Sequence, residues 1–120
     1  MDGQMKTDLS NQMKEFLDKN ISSYEDLQIL LLLHSQSEKH WTALEVAEAL
    51  RIEPLSAARH LKDLHTRGLL RHPERSGPLY DFQYRTFAET NEDQVYELAK
   101  AFETARWVIV DYISKQRRAG

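Results

Sequence analysis

Residues 41–70 read WTALEVAEALRIEPLSAARHLKDLHTRGLL. Thr42 and Glu45 have the spacing of a capping box, in which each side chain accepts a bond from an orphan amide at a helix start. They open a short helix carrying Leu44, Val46, Ala47 and Leu50. Pro54 drives the residue before it toward extended geometry, so Arg51–Glu53 form a turn rather than continue that helix. Proline is well tolerated in the first turn of a new helix, which places Glu53 at its N-cap. The second helix runs to about Arg67 and stops at Gly68, a residue suited to a left-handed cap. Two short helices joined by so brief a turn have the geometry of a helix-turn-helix. On the second helix Ala57, Leu61 and Leu64 point inward with His60 at the margin. Leu55, Arg59, Lys62 and Thr66 share the opposite face, with Ser56, Ala58 and Asp63 at its edges.

After Gly68 the period becomes two. Leu69–His72 reads as a strand, Pro73–Pro78 as a turn and Leu79–Thr86 as a second strand, with Tyr80, Phe82 and Tyr84 on one face. Before the quoted stretch, Met5, Leu9, Met13, Phe16 and Leu17 mark an amphipathic helix over Asp8–Lys19. Ser22 and Glu25 then have capping-box spacing and predict a helix from about Tyr24 to Ser35. The apolar centre of that helix, Ile29–Leu33, calls for burial on every side. Gln36–His40 reads as a loop. After the hairpin, Thr90 or Asn91 starts one long helix to about Lys115, close to 40 Å in length.

The whole chain has 120 residues, no cysteine and a formal charge of −3. That length suits a single domain over 1–120, with a helical extension at 1–21, a core at 22–86 and a C-terminal helix at 90–118. The fold class expected is mainly α with a small β-hairpin. Without cysteine there is no disulfide framework, thiolate metal site or cysteine nucleophile. No apolar run reaches membrane-spanning length, and Met1–Asn20 mixes acids with lysines as neither a signal nor a transit peptide does. A cytoplasmic protein without membrane association is expected. Charge is uneven: −5 over 1–50, +3 over 51–86 and −1 over 87–120. A basic middle can meet a polyanion whatever the global balance.

The E-V-A-E-A-L of residues 45–50, then Ile52, R-H-L-K-D-L at 59–64 and G-L-L at 68–70 resemble the DNA-binding core of bacterial winged helix-turn-helix transcription regulators. These regulators include the arsenic-repressor-like and multiple-antibiotic-resistance-like families; the resemblance spans about half the chain and places no subfamily. It implies a winged-helix domain whose Pro54–Arg67 helix enters the major groove of double-stranded DNA, with the hairpin as wing. On that reading Arg59 is the best base or phosphate reader, Ser56 and Lys62 are phosphate anchors, and Leu55 meets a thymine methyl. Arg71, His72 and Arg75 belong to the wing and grip backbone or minor groove. Glu53, Leu55 and Ala58 stand where the families commonly carry Ser, Thr, Gln or Asn. A solvated Arg59–Asp63–Arg67 ladder is the alternative arrangement of these charges.

On the last helix Val95, Leu98, Ala99, Phe102, Ile109 and Ile113 form a stripe that Tyr96, Trp107 and Val110 widen on one flank and Tyr112 on the other. So broad an arc predicts packing both on the domain and on a second subunit, the interface drawing on Met13, Phe16, Leu17, Phe102, Trp107, Ile109 and Ile113. The alternative is that the N-terminal helix covers the excess. No metal site is expected: His60 and His65 are five apart and do not stack on a helix. No nucleophile elbow or phosphate-binding loop occurs, so neither enzymatic activity nor a cofactor is expected. The leading expectation is a homodimeric DNA-binding regulator of transcription. The rival is a winged-helix adaptor that binds another protein and no DNA.

Overall fold

A helix with no polar face has to be surrounded, and the rest of the chain is arranged around one such helix. The structure, a computed structural model, describes residues 9–71, 81–86 and 89–119. It is mainly helical, with a small three-stranded antiparallel sheet. Helix α1 spans Asn11–Asn20 and begins later than the periodicity suggests, because Ser10 caps it by accepting the Met13 N–H at 3.0 Å. Helix α2 spans Tyr24–Ser35. Its Leu27, Ile29, Leu30 and Leu33 are fully buried, while Leu31 and Leu32 are half-buried at its edge. The capping pair differs from the expected Ser22/Glu25: Ser23 is the N-cap and accepts the Asp26 N–H at 3.2 Å. Asp26 instead reaches back to Ser22, accepting from its backbone N–H at 2.9 Å and its hydroxyl at 2.8 Å.

Strand β1 is Trp41–Thr42 and leads directly into helix α3, Ala43–Leu50, where the Thr42/Glu45 capping box forms as expected. Arg51 then turns the chain with φ 58°, a left-handed conformation that costs a residue bearing a Cβ about 1–2 kcal/mol. Helix α4, Pro54–Thr66, starts with proline in its first turn. It ends in a glycine-dependent cap: Gly68, at φ 83°, donates to the His65 carbonyl at 3.0 Å and Leu69 to the Leu64 carbonyl at 3.1 Å, the paired bonds of a Schellman motif.

Strand β2, Leu70–Arg71, begins one residue later than the sequence suggested, and strand β3, Asp81–Tyr84, ends two residues earlier. Strand β3 lies in the middle of the sheet, pairing Phe82 with Trp41 on one side and Tyr84 with Leu70 on the other. The third strand, β1, was not expected; a two-residue strand is too short for any alternation to register. Phe82 and Tyr84 face the core as the period of two requires. Met5, His72, Arg75, Tyr80 and the turn expected at Pro73–Pro78 lie outside the described residues.

The long terminal helix is corrected to two: α5, Glu89–Thr104, and α6, Arg106–Ala119. Ala105 separates them. Its N–H still donates to the Ala101 carbonyl at 2.6 Å, and its own carbonyl accepts from Val108 at 3.1 Å and Ile109 at 3.3 Å. No glycine or proline stands at this break, so tertiary packing has to favour it. Val95 and Leu98 of α5 and Ile109 and Ile113 of α6 all lie in the core, and both helices contact α2. A straight rod would carry its second half away from α2; the break returns Ile109 and Ile113 to it.

The same packing places most of the expected subunit-interface residues inside the chain. Met13, Phe16, Leu17, Ile109 and Ile113 are all buried within the chain's own core. They have little surface left for a partner. Of the expected interface set, Phe102 is half-buried and Trp107 is 75% exposed. Helix α1 packs on α5. Two hydrogen bonds fasten it to α6: Tyr112 Oη donates to Asp18 Oδ1 at 2.8 Å and Gln116 Nε2 to the same oxygen at 2.9 Å.

Candidate nucleic-acid interface

Helix α4 is amphipathic, and its burial pattern follows the wheel. Ala57, Leu61 and Leu64 are fully buried, while Leu55, Arg59, Lys62 and Thr66 are exposed and Ser56 and Asp63 half-buried. Leu55 is 85% exposed at the N-terminal end, a large apolar side chain held in solvent beside two cations. Glu53 makes no side-chain capping bond. Proline has no N–H, so the amides of the following residues are the first donors at a helix end that favours anions. Among the described residues, neither Arg59 nor Lys62 is paired with a carboxylate. Arg71, exposed on β2, adds a third cation close after α4 in the chain.

The Arg59–Asp63–Arg67 ladder is not the arrangement adopted. Arg67 turns inward instead, donating to the Asn20 carbonyl at 2.8 Å and to Asp26 Oδ2 at 3.0 Å. His60 Nδ1 lies 2.7 Å from the other oxygen of Asp26. The outward face of α4 thus keeps Arg59 and Lys62 and loses Arg67.

Asp26 is the residue sequence reasoning missed. Its side chain is fully buried and gathers Ser22, His60 and Arg67, so one carboxylate pins the middle and the end of α4 to the start of α2. Burial alone would raise its pKa. The Ser22 amide and hydroxyl, then Arg67 and His60, outweigh that and hold the carboxyl below its ordinary value of 3.8. A signal for its burial existed: Asp26 stands four residues before Leu30 and seven before Leu33, on the face those leucines bury.

Tyr84 Oη donates to Glu92 Oε1 at 2.9 Å, joining β3 to the first turns of α5. Burial, and then the Glu92 carboxylate, raise the Tyr84 phenol above its ordinary value. Trp41 is packed beneath Lys39, whose Nζ sits 3.9 Å from the ring centroid, and its buried Nε1 has no hydrogen-bond partner among the described residues. On α6, Trp107 lines a shallow hollow with Val108, Val110, Asp111 and Ser114. Among the described residues, no helix is long and apolar enough to cross a membrane.

The chain matches no model of a known protein family, and no curated protein matches it significantly.

Proposed function

We propose that the chain is a DNA-binding regulator of transcription with a winged helix-turn-helix fold, α4 serving as the recognition helix and the β2–β3 hairpin as the wing. The observation that carries this reading is the outward face of α4: exposed, cationic through Arg59 and Lys62, and uncovered by any described element. Arg59 has the planar fork to engage guanine in two bonds, and Lys62 and Ser56 suit phosphate oxygens. Leu55 offers an apolar contact for a thymine methyl. Arg71 anchors from the sheet. Two copies paired through the Trp107 face would present two such helices to successive turns of the groove.

The exposed Trp107 also favours a second reading, in which α6 docks on another protein and no DNA is bound. Titration of a labelled mixed-sequence duplex at low salt separates the two. A DNA binder loses affinity with rising salt at a log–log slope of about −0.9 per phosphate contacted, and Lys62→Ala flattens that slope by about one unit. Absence of binding at low salt would leave the adaptor as the better reading.

A further inference from the structure

Helices α1 and α5 pack against each other but leave a groove of about 830 Å³ along their seam, within the size range of small-molecule sites. Its floor is apolar, formed by the buried Met13 and Phe16 and the half-buried Ala101. Tyr96 also lines it and is 54% exposed. An aromatic face attracts cations, and Lys100 Nζ already lies 5.2 Å from the centroid of this ring. The charges around the floor are mostly negative. Glu15 of α1 and Asp93 and Glu97 of α5 line the groove against one cation, Lys19. Among the described residues none of these four is in an ion pair.

Asn20 supplies an independent observation. It closes α1 and lines the groove, yet it is only 8% exposed. Its Nδ2 donates to the Phe16 carbonyl at 3.0 Å, which settles which end of the amide is the acceptor. Oδ1 has no partner among the described residues. The fully enclosed side-chain atom without a partner among them is Trp41 Nε1, so Asn20 Oδ1 is not sealed in. The open space that Asn20 lines is the groove. An amide oxygen left in this way lacks a hydrogen bond that a donor brought into the groove would supply.

The apolar floor, the aromatic ring, the surplus of carboxylates and the unpartnered amide oxygen share one requirement: an apolar body that carries a charged hydrogen-bond donor. We propose that the α1–α5 groove binds a small lipophilic organic cation, an ammonium or amidinium, with its body on Met13 and Phe16 and its charged head shared by Asn20 Oδ1 and the surrounding carboxylates. No residue of α4 lines the groove, so the inference goes beyond the DNA-binding reading and does not depend on it.

The test is a proton–nitrogen NMR titration of the full chain at pH 7 and about 0.15 M salt, where diffuse attraction to surface carboxylates is screened. Three probes of nearly one shape are compared: 2-naphthylmethylammonium, 2-naphthylmethanol and 2-naphthoate. The ammonium should bind at about 1 mM or tighter, shifting the Asn20 side-chain amide together with the backbone amides of Met13, Phe16 and Glu97. It should bind about fivefold tighter than the alcohol, and the naphthoate should bind weakest. Glu97 is exposed, so Glu97→Lys should leave the circular dichroism unchanged while weakening the ammonium about fivefold. Asn20→Ala should weaken it about threefold to tenfold; if that variant does not fold, Glu97→Lys decides alone. Equal affinity for the ammonium and the alcohol overturns the proposal, and so does unchanged affinity in Glu97→Lys. Shifted amides that map elsewhere than α1 and α5, or no binding of the ammonium up to about 10 mM, overturn it as well, whatever the DNA titration shows.

Discussion

Replacing Asp26 with alanine should be among the most damaging single changes in the α1–α2 region. The fully buried carboxylate accepts four hydrogen bonds, from the Ser22 amide and hydroxyl, His60 and Arg67. Ser22 is exposed and can turn to water, so its two donors add little to the cost. The side chains of His60 and Arg67 are only 12% and 28% exposed, and Arg67 keeps just the Asn20 carbonyl. Removing one member of a buried charged pair costs about 3–5 kcal/mol. With Arg67 partly rehydrated, a loss of about 3 kcal/mol at pH 7 is expected, against a total of about 5–15 kcal/mol for a domain. Urea denaturation followed by circular dichroism measures it directly. The effect has a signed pH dependence. Because the folded state holds the Asp26 carboxyl below 3.8, its contribution is complete above the ordinary carboxylate value and is lost as pH falls through the lowered one. The gap between wild type and Asp26→Ala should therefore be widest above about pH 5 and narrow below about pH 4. A destabilisation under about 1 kcal/mol at pH 7, no larger than one ordinary hydrogen bond, would refute the claim that this carboxylate pins α4.

Two further outcomes follow from the backbone and the surface. Arg51→Gly should stabilise the chain by about 0.5–1 kcal/mol by relieving a left-handed conformation, while Gly68→Ala should destabilise by about 1 kcal/mol or more, both read from urea midpoints; equal and opposite signs to these would contradict the turn geometry. Trp107→Ser should leave stability within about 0.5 kcal/mol of wild type yet dissociate any dimer seen by sedimentation. A wild-type chain that is monomeric at high micromolar concentration would rule out pairing through this face.

The quoted stretch was legible because its signals are local and mutually consistent. The Thr42/Glu45 pair, Pro54 and Gly68 each act within a few residues, and each sits in the structure where its chemistry demands. The wheel of α4 was equally readable, since burial of Ala57, Leu61 and Leu64 leaves only one direction for Arg59 and Lys62. Where two local solutions compete, the sequence was ambiguous. Ser22 and Ser23 are both good caps, and the choice of Ser23 is made by Asp26, whose burial depends on residues 34 and 41 positions away. That separation also explains why Arg67 was drawn into a surface ladder with Asp63: the i,i+4 partner is visible in sequence, the α2 carboxylate is not.

The apolar arc of residues 95–113 shows how one pattern admits two neighbours, a second subunit or the chain's own N-terminal helix. Its breadth exceeds what one straight helix can bury on one domain, which points outward to a second subunit only if the helix is straight. The break at Ala105 removes that condition. Two shorter helices each contact α2, with Val95 and Leu98 buried on the first and Ile109 and Ile113 on the second. Helix α1 covers part of the remainder, bringing Met13, Phe16 and Leu17 into the core. Trp107 and Tyr96 are the large apolar residues of the arc that this folding back leaves exposed, at 75% and 54%, and on α6 it is Trp107 that stands out in solvent. An interface of two copies, if it uses α6, is thus reduced from a long seam to a patch centred on one tryptophan. Such a patch offers a single aromatic anchor rather than area, so under the proposed function any pairing of two copies through it is expected to depend on protein concentration.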